Sequence, residues 1–340
     1  MVPRPLIILA TVCACVLAVS LGACGGTSKE RSTAAARNLP LTPVEVGSPI
    51  PAGRMPVAVA VGAGSVWVAD GGRGTLLRIN PERRRRTGAA IAVGAAPFAV
   101  AVGEGAVWVA GTSGEIRAVD PDSMTTVGSP VRVAGANGLA VGLDGVWVTS
   151  RIAGTLTRID PRTRRAGPPI RVGAGPADVV IADGAVWVAN AADGTVSRVD
   201  PGTRRADPPI RVGGELLALA AGEGALWAGR ARGQFAERVE VVRLDPRARR
   251  LTGRAVAVQG AIPLDLAAGG GSVWVTDVGG FRPPQPRRPG SLTRIAPGGP
   301  AVVGDQLKTG ERPTAVAVGA GGVWVANAAD GTVTPVAASR

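Results

Sequence analysis

The chain has 340 residues, of which 46% are apolar, and a net charge of +13 from 38 basic and 25 acidic residues, with no histidine. Alternating Val, Ala, Leu and Ile from about position 57 onward exclude a disordered chain. Fifty glycines and 28 prolines argue against a helical one and suit many short strands joined by tight turns.

Residues 1–23 form a segment of their own. Arg4 supplies a positive start, residues 6–21 are an apolar run too short for a comfortable membrane span, and small residues precede Cys24. This pattern predicts a signal peptide. Its end, Leu21-Gly22-Ala23-Cys24, resembles the lipobox of bacterial lipoproteins. The resemblance implies cleavage before Cys24, a lipid on its thiol, and a chain held on the extracytoplasmic face of the cell membrane; ordinary secretory cleavage is the alternative. Cys13 and Cys15 would leave with the signal segment, so the mature domain would have no disulfide. Residues 24–41 read as a flexible linker and residues 42–340 as the folded domain.

Lys29 and Lys308 are the only lysines among the 38 basic residues. A basic surface suits nucleic acid or anionic lipid. For an exported chain with no Tyr and three Phe, which offers no platform for base stacking, nucleic acid is not expected. The Arg excess fits a GC-rich genome or attraction to anionic envelope polymers.

All seven tryptophans, Trp67, Trp108, Trp147, Trp187, Trp227, Trp274 and Trp324, share one local pattern, with gaps of 41, 39, 40, 40, 47 and 50 residues. A period near 40 signals a repeat architecture. The unit beginning at Pro176 reads as four strands: residues 177–181, 185–190 around Trp187, 195–199 and 209–212. Gly, Asx or Pro marks every corner, and no helical period competes. Asp-Pro corners recur at Asp120, Asp160, Asp200 and Asp245, with Asn80-Pro81 as a variant and Ala296-Pro297 as a departure.

Counting units predicts an all-β, seven-bladed β-propeller of four-stranded antiparallel blades. Its last unit stops after three strands, and the missing fourth is expected from Val44-Glu45-Val46-Gly47, an N-terminal strand that would close the ring and remove its free edges. The undecapeptide VWVANAADGTV stands at residues 186–196 and again, letter for letter, at 323–333. On this frame the copies are the second strand and following turn of blades four and seven, which predicts a common structural role.

Units such as PADVVIADGAVWVANAADGTVSRVDPGTRR resemble the YVTN-type and virginiamycin B lyase-like β-propeller repeats across about residues 42–340. The resemblance implies a seven-bladed ring, often exported, with a binding or scaffolding role in most members. The lyase's own site is similar across its relatives in using histidine and a divalent metal. Where such relatives carry His after the repeat proline, this chain has Val57, Phe98, Ala177 and Thr314.

Candidate binding residues come from departures within the repeat. The turns after the Trp strands lie on one face, called the top, and those of blades five and six are lengthened. They bring Arg230, Arg232 and Phe235, and then Phe281, Arg282, Arg287 and Arg288, as contacts for an envelope protein or polymer, with tolerated loop growth as the plain alternative. Nine residues before each Trp stand Ala58, Ala99, Gly138, Asp178, Ala218, Asp265 and Ala315. Asp178 and Asp265 could hold a cation or an amine near the axial channel, or cap the preceding turn. The opposite face gathers arginines at the third corner, among them Arg83, Arg162, Arg204 and Arg247. They read as a solvated basic ring, or as a face resting on anionic lipid. No catalytic residue, metal site or cofactor is assigned, since phosphate loops, nucleophile elbows and metal-ligand spacings are missing from the sequence. A lyase or hydrolase working with acidic residues alone stays open as the second reading, and the chain is expected to be a monomer.

Overall fold

In the computed structural model, which describes residues 43–233, 238–258, 263–282, 285–288, 290–299 and 301–337, every regular element is a β-strand. The signal segment, Cys24, the linker up to residue 42 and Phe235 lie outside the described residues.

Seven antiparallel sheets follow one another along the chain, each a meander running from the axis outward. Their innermost strands are Pro56–Gly62, Pro97–Gly103, Ala136–Gly142, Pro176–Ala182, Glu215–Gly222, Pro263–Gly269 and Pro313–Gly319. Each packs against the innermost strands of both neighbours, the seventh against the first. The fourth strand of blade seven comes from the N-terminus: Ile50 pairs with Val333, Pro51 with Thr332, and Val46 bridges Val336. Gly47 N–H donates to the Pro335 carbonyl at 2.8 Å, and Ala337 N–H to that of Glu45 at 2.8 Å. The ring is thus closed by the N-terminal segment, as the count of strands predicts, but the regular pairing falls at Ile50–Pro51, and of the expected strand Val44–Gly47 only Val46 forms a bridge.

The second strand explains the repeat. In Val186-Trp187-Val188 all three side chains are fully buried, because neighbouring blades cover both faces. Each buried Trp removes roughly 150–250 Å² from water, worth about 4–6 kcal/mol as an upper bound. In six blades the indole N–H also donates to the carbonyl five residues earlier, as Trp147 does to Gly142 at 3.0 Å. Trp108 alone of the seven has no such partner. Across the sheet, Arg78, Arg243 and Arg294 lie over Trp67, Trp227 and Trp274, 5.4 to 5.8 Å from the ring centroids.

Two backbone devices set the blades. The first hairpin turns through two residues of positive φ, such as Asp183 (46°) and Gly184 (68°), the turn type whose twist matches the strands. The glycine ending the first strand permits close blade approach: a Cβ on Gly62 would lie 2.6 Å from Val102 Cγ1 of the next blade.

Outer strands are less regular than the repeat suggests. The stretch expected as a strand at 209–212 pairs only over Ile210–Arg211, and a separate piece, Arg205–Ala206, holds the corner. Pro208 and Pro209 remove two donors between them. Pro168 and Pro169 interrupt blade three in the same way, leaving Ile170–Arg171.

Candidate functional site

The top face is organised by the residue three places after each Trp. Asp70, fully buried, accepts the N–H groups of Arg54 and Met55 at 2.9 Å and of Gly72 at 3.0 Å, so it holds the loop arriving from the N-terminal strand. Asn190 does the same for blade four: its Oδ1 accepts Gly173 N–H, and its amide donates to Thr195 and Ser197 hydroxyls. Asn327, its twin in the repeated undecapeptide, donates to Thr332, Thr334 and the Thr309 carbonyl. Asp193 and Asp330 complete the parallel by accepting Ala174 and Glu311 N–H. The two copies therefore serve one purpose, fastening the incoming loop of the preceding blade.

Asp178 and Asp265 are fully buried. Asp178 Oδ1 accepts Val179 N–H at 2.7 Å, and Oδ2 accepts Leu219 N–H of blade five at 2.7 Å. Asp265 repeats the arrangement with Leu266 at 2.8 Å and Val316 of blade seven at 2.9 Å. Both follow a register shift present in the first strand of every blade, at Pro176/Asp178 and Pro263/Asp265 here. Such a bulge frees a main-chain group from the ladder. These carboxylates are inter-blade fasteners. Val57, Phe98, Ala177 and Thr314 occupy the same shifted position; Thr314 Oγ1 donates to the Pro56 carbonyl at 3.1 Å. Among the described residues, no group of three or more His, Cys, Asp or Glu could share a metal ion.

Blades five and six depart from the ring. In blade five the strands Ala225–Arg232, Arg238–Asp245 and Arg250–Val258 run on together beyond the length usual elsewhere. Arg230 is withdrawn from solvent: it pairs with Glu240 at 2.7 Å and donates to the Val212 carbonyl, whereas Arg232 is exposed. Phe281, Arg282, Arg287 and Arg288 fall on an added two-stranded hairpin, Gly280–Arg282 with Gln285–Arg288, inserted between the second and third strands of blade six. The hairpin is seated at its base, where a Cβ on Gly290 would meet Pro313 at 2.2 Å. The sequence marks the insertion by length, but its hairpin pairing is visible only in the fold.

On the opposite face the Asp-Pro corners are Asx turns. Asp160 accepts Thr163 N–H at 2.7 Å and Asp200 accepts its Thr203 counterpart at 2.7 Å. These backbone bonds hold the carboxyls of Asp120, Asp160, Asp200 and Asp245 below their ordinary range. The fourth residue after each Asp, Met124, Arg164, Arg204 or Arg249, adopts positive φ (54° to 57°), as Arg84 (48°) does after Asn80.

This geometry defines a seven-bladed β-propeller. No family model and no curated protein matches the chain. Among solved structures it is similar to a streptogramin B lyase, at 17% identity over 86% of this chain and 96% of that one, with a TM-score of 0.66. The selenomethionine-substituted virginiamycin B lyase from Staphylococcus aureus is similar at 15% identity over 84% and 95%, TM-score 0.66. So are the RRP9 WD40 repeats, at 10% identity over 86% and 97%, TM-score 0.68. At these identities the likeness is one of fold, and a ring shared by lyases and a WD40 protein fixes no activity.

Proposed function

We propose that this chain is a lipid-anchored, extracytoplasmic propeller that binds a protein or polymer of the cell envelope, and that the extended top of blades five and six is its recognition surface. The observation that carries the reading is the contrast between the two kinds of candidate. The carboxylates near the axis, Asp178 and Asp265, are engaged by main-chain amides, while blade six adds a hairpin with no part in the ring's own sheets. Exposed Arg232, with Phe235, Phe281, Arg282, Arg287 and Arg288, supplies the aromatic and guanidinium anchors that interfaces favour. A propeller lyase or hydrolase is the second reading, favoured by the two lyases of like fold. Against it stand a chain without histidine and shifted first-strand positions filled by Val57, Phe98, Ala177 and Thr314.

The test is affinity capture from envelope extract with the full detergent-solubilised chain, beside the same chain with residues 280–289 replaced by a short Gly-Ser link. A partner retained by the first and lost by the second supports the recognition surface. Equal capture by both removes the hairpin from the proposal, and capture by neither puts small-molecule chemistry ahead of binding.

A further inference from the structure

Two clefts open on the rim of the ring. One lies between blades seven and one, about 360 Å³, lined by Ser48, Pro49, Ile50, Pro51 and three consecutive arginines, Arg84, Arg85 and Arg86. The other lies between blades three and four, about 510 Å³, lined by Pro168, Pro169, Ile170, Ala206 and by Arg171, Arg204 and Arg205. Each has an apolar floor in which the isoleucine is buried, three exposed guanidiniums, and no acidic residue in its lining. None of the six arginines enters an ion pair among the described residues.

Arg164 and Arg165, at the corner between blades two and three, enter no ion pair among the described residues either, but other rim arginines are engaged. Between blades four and five, Arg249 reaches Asp207 at 3.5 Å and donates to the Pro208 carbonyl at 3.0 Å. On the outer strand of blade two, Arg132 is held by Glu115 at 2.8 Å. The acids of the lower face are occupied too: on the inner turns Glu104 accepts Asp144 N–H, Glu223 accepts Gly271 N–H and Asp183 lies 3.4 Å from Arg247, and in the third corners Asp120, Asp160, Asp200 and Asp245 accept backbone N–H groups.

The path of the chain adds a second, independent observation. The N-terminal strand pairs antiparallel with Thr332–Ala337, which descends from the top turn, so Glu45 lies at the lower end opposite Ala337. The polypeptide therefore joins the ring on the face of the third corners, beside the first cleft; a Cβ on Gly47 would stand 3.2 Å from Arg84 Nη1.

We infer that the two rim clefts are phosphate-binding contacts for anionic phospholipid headgroups, which seat the ring with its lower edge on the membrane and turn the blade-six hairpin away from it. The inference rests on the lipid-anchored reading for its choice of ligand. Three guanidiniums over an apolar floor suit a phosphodiester carrying an apolar body, and Arg84, Arg85, Arg86, Arg204 and Arg205 all stand at third corners on one face of the ring, where a flat surface can engage both clefts. A lipidated N-terminus joining the same face would keep that surface within reach.

The experiment uses the full acylated chain with vesicles of phosphatidylcholine alone or with one third phosphatidylglycerol, at low and high salt. The test variant carries Gln at Arg84, Arg85, Arg86, Arg204 and Arg205. Retention on pure phosphatidylcholine reads the anchor; the gain on adding phosphatidylglycerol reads the clefts. Expected is a gain that falls at least about tenfold in the variant and shrinks with salt, with amide exchange at 84–86 and 203–206 slowed only on anionic vesicles. A gain unchanged in the variant overturns the inference, as does slowed exchange confined to 280–288. So does the alternative ligand: poly(glycerol phosphate) bound in solution through these arginines with no gain on anionic vesicles. Loss of retention on phosphatidylcholine, with the gain intact, refutes the anchor and leaves the clefts standing.

Discussion

Replacing Asp178 by alanine separates a fastener from a ligand site. The carboxylate is fully buried and accepts two main-chain amides, one in its own strand and one in blade five, both at 2.7 Å. Alanine leaves both donors without the carboxylate in a place water does not reach. A hydrogen bond to a charged group contributes about 1.5–3 kcal/mol, so the expected loss of two is about 3–6 kcal/mol. The fold itself should persist, because Ala58, Ala99, Ala218 and Ala315 fill the same position in other blades and are equally buried. Urea unfolding followed by tryptophan emission reads the effect, since every blade carries one Trp. With a slope of roughly 3 kcal/mol per molar, the midpoint should fall by about 1–2 M with the slope unchanged. Asp178→Asn keeps an acceptor for one amide and should fall between. A midpoint equal to wild type would refute the fastening role. Calorimetric titration with Ca²⁺, Mg²⁺ and Mn²⁺ should give no heat; heat that Asp178→Ala abolishes would return the carboxylate to ligand duty.

Removing Arg230 alone should cost about 1.5–3 kcal/mol, because it takes the charge-assisted hydrogen bonds from partly buried Glu240, whereas Arg230→Met with Glu240→Leu should recover most of that in the same urea assay. Asp70→Ala takes the acceptor from three amides at the ring closure, so hydrogen exchange at Gly47 and Ala52 should quicken together while blades three and four keep their protection. The corner carboxyls of Asp160, Asp200 and Asp245 are held low, first by the backbone N–H groups of Thr163, Thr203 and Ala248. Folded values below unfolded ones give stability that is present above the ordinary carboxylate pKa near about 4 and is lost as pH falls through the lowered values. The acid limb of a melting-temperature profile should therefore flatten when all three become Ser.

How much was legible beforehand differs by level. The seven tryptophans carried the number of blades, the corners between them carried the strands per blade, and the strand missing from the last unit pointed to closure by the N-terminal segment. Side-chain roles were less readable. Asp178 and Asp265 stand out as acids among alanines, but only the neighbouring blade, about forty or fifty residues along the chain, reveals which amides they accept. Arg230 reads as a loop residue available to a partner, and burial against Glu240 is what removes it.

The architecture is written locally: period, strand order and turn chemistry are encoded within each forty-residue unit, because a blade's hydrogen bonds run mostly between adjacent strands. Which polar groups remain for function is settled by the assembled ring. That depends on contacts between units distant in the chain, where Asp207 occupies one rim arginine and leaves Arg204 and Arg205 without an ion pair. Coulomb attraction acts through space, so the ring's closure chooses its partners.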